Sequence, residues 1–194
     1  MSAVQAEAPL CEIKITLRDT EPEPWRRVLV RADITLDRLH TVIQQAMGWS
    51  DSHLHEFEIR RQRYGRVFND PMMGAPPADE RKVQLIDVAT PKARFIYRYD
   101  FGDGWEHEIK IERVLEPSAD LKNPICLAGE FACPPEDCGG IPGYENLLAI
   151  LAGPDGEEKD EMLEWIGSPF DTLAFDLDAA NRRLARLKPK SVKR

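Results

Sequence analysis

ARFIYRYDFGDGWEHEIKIERVL, residues 93–115, contains the two strongest strand patterns in this sequence. In each half, apolar side chains alternate with charged or polar ones, which is the period of two expected when one face of a strand is buried. The segment between the halves contains Asp-Gly, and short loops of this kind connect hairpins because glycine tolerates positive φ. We therefore predict a β-hairpin with its connection at residues 101–104.

The same alternation predicts further strands at residues 11–17, 25–30 and 52–60. Between the second and third of these, apolar residues at helical spacing run from Thr35, a typical N-cap, to Gly48. Short amphipathic segments follow near the C-terminal end. Because strands come first and helices last, with one early helix, we predict an α+β fold with a mainly antiparallel sheet.

The composition changes along the chain in a way that predicts its organisation. We predict a flexible leader at residues 1–9, a single domain at 10–187 and a basic tail at 188–194. Within the domain, residues 10–123 are rich in strand patterns and residues 145–187 in helical ones. Residues 124–144 contain three cysteines with several prolines and glycines, and we predict an irregular loop there.

Composition and charge exclude several classes of protein. The chain is 42% hydrophobic and 31% charged, which is typical of soluble globular proteins, and it has neither a membrane-length apolar run nor a signal-peptide pattern. We therefore expect a cytoplasmic protein whose four cysteines are thiols or ligands. The net charge of −8 disfavours broad nucleic-acid binding. The basic segments are the tail and the cluster Arg60, Arg61, Arg63 and Arg66.

The four histidines are the most informative polar residues. His53 and His55 share a predicted strand face with Phe57, His107 shares one with apolar neighbours, and His40 lies beside the apolar stripe of the early helix. Each alone is typical of a core histidine whose ring nitrogens are hydrogen-bonded. If the strands curl around one interior, His53, His55 and His107 could instead converge on Zn²⁺ or another divalent ion.

Two further groups of residues, a pair of aspartates and a set of cysteines, are candidates for catalysis or metal binding. Asp100 and Asp103 lie in an Asp-Phe-Gly context, but the other kinase motifs are absent, so the two aspartates either accept backbone N–H bonds in a turn or act at a divalent ion. Cys126, Cys133 and Cys138 are spaced C-x6-C-x4-C, which differs from the usual zinc knuckle. They are interpreted as buried thiols, as part of a Cys3His metal site, or as including a nucleophile.

Several long segments in a fixed order resemble the plasmid pRiA4b ORF-3-like family, which is found on bacterial plasmids and as passengers of insertion elements. They are PWRRVLV, LHTVIQQAMGWSDSHLHEF, YRYDFGDGWEHEI, CLAGEFACPPEDCGGIPGYE and FDTLAFDLDAANRRL. The resemblance implies an α+β domain with a strongly bent, barrel-like antiparallel sheet flanked by helices, and it supplies no reaction. The residues that match the family's motifs are Trp25, His40, Trp49, His53, His55, Asp100, Asp103, Trp105, His107, Cys126, Cys133, Cys138 and Tyr144.

Three hypotheses of function follow. The first is an intracellular accessory or binding protein of a mobile genetic element, with a histidine-lined concavity for a small ligand or a protein partner. The second is a metal-dependent, hydrolytic enzyme in which His53, His55 and His107 hold the ion and Asp100 or Asp103 orients a ligand or acts as base. The third is a DNA-binding accessory protein that uses the arginine cluster and the tail.

Overall fold

The computed structural model describes residues 8–67, 75–88, 90–167 and 170–187, so the predicted tail and most of the predicted leader lie outside the described residues. The strands are β1 (Leu10–Leu17), β2 (Trp25–Arg31), β3 (His55–Ile59), β4 (Gln62–Gly65), β5 (Ala78–Asp79), β6 (Arg94–Tyr99), β7 (Trp105–Leu115) and β8 (Ile125–Glu130). The helices are α1 (Leu36–Met47), α2 (Leu85–Val88), α3 (Gly140–Ala152), α4 (Glu157–Ile166) and α5 (Leu177–Leu184). The predicted α+β class is confirmed.

The described strands form one eight-stranded sheet in the order β5-β4-β3-β6-β7-β1-β2-β8. Every neighbouring pair is antiparallel except β4 and β5, as predicted for a mainly antiparallel sheet. The sheet is open, because β5 and β8 are its two edges and do not pair with each other, so its strands do not close into a barrel. None of the described helices has the length and apolar character that a membrane crossing requires.

The hairpin of β6 and β7 lies near the centre of this sheet and confirms the strongest sequence pattern. Tyr97 pairs with His107, and both are completely buried. The turn is held by Asp100, whose Oδ1 accepts a hydrogen bond from the Gly102 N–H at 2.9 Å. Gly104 closes the turn at φ +72°, a conformation that glycine adopts without strain.

Helix α1 packs its apolar face on the sheet and ends as predicted. Thr35 is the N-cap residue, and Gly48 at φ +101° terminates the helix. His40 and Gln44 lie on the buried side of α1. This helix therefore delivers two polar side chains to the interior, where they meet the central strands.

The predicted loop at residues 124–144 is shorter than expected. Its first part forms β8, and α3 begins at Gly140, so the irregular segment is confined to residues 131–139. Helix α5 then packs along β8. The Asn181 side chain accepts a hydrogen bond from the Cys126 N–H at 2.8 Å and donates one to the Cys126 carbonyl oxygen at 2.9 Å.

Candidate metal centre and histidine cavity

The structure separates the three strand histidines that the sequence brings together. His53 lies in the loop before β3, His55 is the first residue of β3, and His107 is the third residue of β7. Within the described part of the chain, the ligand atoms that lie within 4.8 Å of one another in a group of three belong to His53, Asp100 and Asp137. The predicted ligand set of His53, His55 and His107 is therefore corrected. The reason is local: the strand alternation begins at His55 and does not extend back to His53.

The His53 cluster has the geometry of ligands around a common point. The Nε2 atom of His53 lies 2.9 Å from Asp137 Oδ1 and 3.6 Å from Asp100 Oδ2. That nitrogen is buried, yet no hydrogen bond of acceptable geometry reaches it. Neighbouring ligands of an ion with bonds of about 2.1 Å are separated by about 3.0 Å in octahedral and about 3.4 Å in tetrahedral coordination. The two distances from His53 are close to these values, and all three ligand atoms lie within 4.8 Å of one another.

Asp100 divides its carboxylate between the turn and the cluster. Its Oδ1 accepts from the N–H groups of Gly102, at 2.9 Å, and Asp103, at 3.3 Å. Its Oδ2 is the oxygen that faces His53. The residue is almost completely buried, so the hairpin turn fixes the orientation of the second oxygen. The sequence offered two alternatives for Asp100, acceptance of N–H bonds in a turn and action at a divalent ion. The first uses Oδ1, and the second would use Oδ2.

Asp103 lies outside the cluster and ties the hairpin turn to the segment that precedes α3. Its Oδ2 accepts a hydrogen bond from the Gly139 N–H at 3.2 Å. Gly140 packs so closely on Asp103 that an added Cβ would overlap the Asp103 carbonyl oxygen. Because Asp137 precedes this contact by only two residues, Asp103 helps to place Asp137 near Asp100. Asp103 therefore positions a member of the cluster and does not itself belong to it.

Glu136 links the three segments that carry the cluster. Its carboxylate accepts hydrogen bonds from the Ser50 N–H at 2.9 Å, from the Ser50 hydroxyl and from the Tyr99 hydroxyl. Burial and the neighbouring Glu136 carboxylate both raise the pKa of Tyr99. Trp49 adds a second link, since its indole Nε1 donates to the Pro134 carbonyl oxygen at 2.9 Å. The loop that bears His53 is therefore joined to the loop that bears Asp137.

A cavity of about 480 Å³ opens beside the cluster. Three of the four histidines line it, together with acidic side chains and one arginine. Its lining residues are His40, Asp51, Ser52, His53, Leu54, His55, Arg66 and Glu80. This space is the histidine cavity.

His40 belongs to a closed ring of hydrogen bonds at the inner wall of the histidine cavity. Its Nδ1 lies 2.7 Å from the Tyr97 hydroxyl and its Nε2 lies 2.7 Å from Asp51 Oδ1. Gln44 completes the ring, donating to the Tyr97 hydroxyl at 3.0 Å and accepting from the Asp51 N–H at 3.1 Å. Burial and the adjacent His55 lower the pKa of His40 to about 4, against the opposing effect of Asp51. The ring is satisfied when His40 is neutral with its proton on Nε2.

His55 stacks on His40 and pairs with a buried acid. The ring centroids of the two histidines are 3.4 Å apart and their planes differ by 4°. The Nε2 atom of His55 lies 2.7 Å from Glu80 Oε2. Stacking fixes the plane of the imidazole and the carboxylate fixes its rotation. His55 is therefore a rigidly oriented imidazole in the wall of the histidine cavity.

His107 is a core residue, as its strand face predicts. It is fully buried, and its ring packs edge-on against Trp49 at 5.2 Å and near Tyr97 at 5.3 Å between centroids. Neither ring nitrogen has a hydrogen-bond partner of acceptable geometry. Burial lowers the pKa of His107 to about 3, against the opposing effect of the Tyr97 backbone, so the ring is neutral.

The three cysteines of the predicted loop do not form a three-ligand site in the described part of the chain. Cys126 is buried on β8 and contacts the Ala128 carbonyl oxygen, while the Cys133 Sγ lies 3.5 Å from an Arg26 guanidinium nitrogen. All of the cysteines are free. Burial raises the pKa of Cys126 and Cys133, and it raises that of Cys138 to about 11. Of the alternatives, these environments favour protonated thiols over metal-bound or nucleophilic thiolates.

Sequence patterns did not identify Asp137, Glu136, Glu80 or Asp51. Asp137 and Glu136 come from the irregular segment at residues 131–139, where no periodicity indicates the direction of a side chain. The available signal was the run of prolines and glycines around two acidic residues, which indicates a loop with a fixed path. Asp51 and Glu80 belong to short connections and are recognised as functional only once their histidine partners are seen.

Comparison with known proteins gives one family. The sequence profile of the plasmid pRiA4b ORF-3-like proteins matches residues 9–179. The chain is 42% identical to "Uncharacterized protein y4hQ" of Sinorhizobium fredii (strain NBRC 101917 / NGR234) over 186 residues, which cover 94% of each sequence. Its fold is similar to the crystal structure of protein of unknown function MM3350 from Methanosarcina mazei Go1. That comparison has a TM-score of 0.79 and 34% identity, and covers 88% of this chain and 96% of the other.

Proposed function

The chain belongs to the plasmid pRiA4b ORF-3-like protein family, and from this premise and the site geometry we propose that it is a binding protein that holds a divalent cation through His53, Asp100 and Asp137. The relatives compared above are described as uncharacterized or of unknown function, so family membership provides no reaction. The proposal therefore rests on the arrangement of side chains in this chain.

The observation that carries the proposal is the environment of His53 Nε2. A buried ring nitrogen without a hydrogen bond costs about 1–3 kcal/mol. Here that nitrogen also lies between two carboxylate oxygens, at 2.9 and 3.6 Å. A divalent cation among the three ligands satisfies the nitrogen lone pair and removes the repulsion between the two carboxylates. A single ion thus resolves two unfavourable features at once.

The ligand set indicates which ions fit. One imidazole nitrogen and two carboxylate oxygens suit Zn²⁺, Mn²⁺ or Fe²⁺ better than the all-oxygen ions Ca²⁺ and Mg²⁺. Three protein ligands leave further coordination positions for water or for a bound molecule. The Asp137 side chain is 67% exposed, so ions reach the cluster from solvent. His53 also lines the histidine cavity, so that a ligand in the cavity is a neighbour of the ion.

The test is the metal content and metal affinity of matched variants. Protein purified without a histidine tag is analysed for metals and titrated calorimetrically with Zn²⁺ and Mn²⁺. We expect about one ion per chain in the wild type, as three ligands define one site. His53→Gln and Asp137→Asn should weaken binding at least tenfold, since loss of outer-shell partners alone costs 10–100-fold.

Two control variants separate this ligand set from the one that the sequence suggested. His55→Gln changes a histidine of the same cavity that pairs with Glu80, and Asp155→Asn changes an aspartate in the connection before α4. Both should bind the ion as the wild type does. A wild type without saturable binding, or a loss in His55→Gln equal to that in His53→Gln, contradicts the proposal.

Metal-dependent hydrolysis is the second candidate function, and the orientation of His55 favours it. An ion held by His53, Asp100 and Asp137 would lower the pKa of a water, and His55, oriented by the buried Glu80 carboxylate in the same cavity, would be suited to act as the base. We expect Mn²⁺- or Zn²⁺-dependent turnover of a generic phosphodiester. His55→Gln should lose turnover and keep the ion. Turnover that survives in His55→Gln assigns proton transfer to another group.

The remaining hypotheses stay predictions. An accessory role in a mobile element follows from the family resemblance alone, and the cytoplasmic location from composition. DNA binding by the arginine cluster is disfavoured by an ion pair at its centre, because Arg63 Nε lies 2.6 Å from Glu56. A DNA complex would appear as a retarded band that weakens steeply with salt.

A further inference from the structure

A second cavity, of about 680 Å³, lies between α1, the connection after β2, residues 119–124 and the residues that follow α5. It shares no lining residue with the histidine cavity. Its volume falls within the range of about 300–1,000 Å³ that is typical of small-molecule sites. The residues that line it are Arg31, Asp33, Ile34, Thr35, Arg38, Thr41, Val42, Ala119, Leu121, Lys122, Asn123, Pro124, Arg186 and Leu187.

One part of the lining is apolar. Val42 and Leu121 are buried, and Ile34 and Leu187 pack partly buried against the core. Asn123 fixes the connection that bears Leu121, because its side chain donates to the Ala185 carbonyl oxygen at 3.2 Å. The apolar wall is therefore built from three segments that are held together, and it suits an alkyl chain.

The other part of the lining is cationic. Arg31, Arg38, Lys122 and Arg186 contribute positive charge, and the one acidic side chain, Asp33, is already paired with Arg31 at 3.0 Å. The ion pairs formed within the described ranges include neither Lys122 nor Arg186. This local excess of positive charge contrasts with the net charge of −8 of the whole chain.

We propose that this cavity binds an amphipathic carboxylate, a medium-chain alkyl acid whose chain lies on the Val42 and Leu121 wall and whose carboxylate meets Lys122 and Arg186. Guanidinium and ammonium groups form charge-assisted hydrogen bonds with carboxylates, and a methylene chain gains free energy when it leaves water. The two halves of the lining thus match the two halves of one molecule. None of the residues that line this cavity belongs to the cluster of His53, Asp100 and Asp137.

The ligand test is calorimetric titration of the full chain with octanoate, decanoate and dodecanoate below their micelle concentrations. We expect one saturable site whose Kd falls about fourfold with each added methylene. Dodecanol and dodecylammonium have the same chain with a neutral or a positive head group, and each should bind at least tenfold more weakly than dodecanoate. Absence of saturable dodecanoate binding, or equal affinity for the three head groups, overturns the proposal.

The site test uses variants matched in charge. Lys122→Gln combined with Arg186→Gln should weaken dodecanoate binding about tenfold or more and reduce its dependence on salt. Arg18→Gln combined with Lys82→Gln removes the same charge outside the cavity and should change neither. Ala119→Trp places a large ring at an exposed position of the lining and should block the alkyl chain. Equal loss in both double variants, or unchanged binding in Ala119→Trp, places the acid elsewhere and contradicts the assignment.

Discussion

The turn and the middle of the β6–β7 hairpin both lie beside histidines, but in opposite environments. At the turn, His53 meets the carboxylates of Asp100 and Asp137 near solvent. Within the strands, His107 is surrounded by aromatic rings, and in the described part of the chain neither of its nitrogens makes a hydrogen bond of acceptable geometry, although the Tyr97 backbone lies close enough to act on its pKa. One hairpin therefore has an imidazole beside carboxylates at its turn and another among aromatic rings within its strands.

This difference shows what places one histidine beside carboxylates and another among aromatic rings. The face of a strand determines whether the ring is buried, but the loops that cross the end of the strand supply the acidic partners. The turn is crossed by the loop before β3 and by residues 131–139, which bring His53 and Asp137 to Asp100. Among the residues that the structure describes, no charged group shifts the pKa of His107. Four predictions test this contrast, from the largest expected effect to the smallest.

Gly143→Ala should damage the turn end most severely. An added Cβ at this position would overlap the Cys138 carbonyl oxygen, so residues next to Asp137 must move. We expect a loss of about 3 kcal/mol or more in the free energy of unfolding, as for other backbone overlaps, together with loss of ion binding. Denaturant unfolding measures the first effect and calorimetry the second.

Gly156→Ala is the control for that substitution. No atom lies within 4 Å of the Cβ position at Gly156, which is the N-cap of α4. The change should therefore cost less than about 1 kcal/mol and leave ion binding unaltered. Equal stability of the two variants would show that the contact at Gly143 relaxes easily.

His107→Leu should stabilise the middle of the hairpin. The leucine side chain has no polar atoms to leave unsatisfied, so we expect a gain of about 1–3 kcal/mol in the free energy of unfolding at pH 7. His107→Asn, which keeps a polar group at the same place, should show no gain. A destabilised His107→Leu protein would indicate that the imidazole has a stabilising partner.

The same variant should alter the dependence of stability on pH. The pKa of His107 in the folded protein, about 3, lies below the value of about 6.5 in the unfolded chain, so the unfolded state binds more protons between these values. The free energy of unfolding therefore falls as the pH decreases through this window. His107 accounts for about 1.4 kcal/mol per pH unit of that slope, and His107→Leu should lack this contribution.

Glu136→Gln should give the smallest effect, confined to the turn end. Glu136 is outside the cluster and positions it through Ser50 and Tyr99, so we expect about tenfold weaker ion binding with little change in stability. Glu130→Gln, on β8, is the matched control, since its carboxylate accepts from Trp25 Nε1. Loss of ion affinity in both variants would indicate a general effect of charge.

The fold could be predicted from sequence where residues close together in the chain form a periodic pattern of apolar and polar side chains. The alternation in β6 and β7 predicted the hairpin, and the spacing between Thr35 and Gly48 predicted α1, because each pattern reflects contact with one buried surface. The open edges of the sheet were not predicted. The sheet would close into a barrel only if β5 and β8 paired, and no pattern of neighbouring residues in the sequence indicates whether two distant strands pair.

The site could be predicted only in part, for the same physical reason. His53 and Asp100 were each selected from the pattern of their own segment. The strand alternation that includes His55 was, however, extended to His53, which lies before the start of β3. Asp137 is brought to them by a loop whose path depends on Gly140 and Gly143 packing against neighbouring backbone. The cluster of His53, Asp100 and Asp137 is a consequence of that tertiary contact.

The two hydrogen bonds between Asn181 and the backbone of Cys126 have a consequence for self-association. An edge strand such as β8 presents N–H and C=O groups on which another chain can add a strand, and Ile125 and Leu127 are exposed beside them. The carboxamide of Asn181 imitates a peptide group and occupies both positions of Cys126. One side chain of α5 thus protects this edge of the sheet against aggregation.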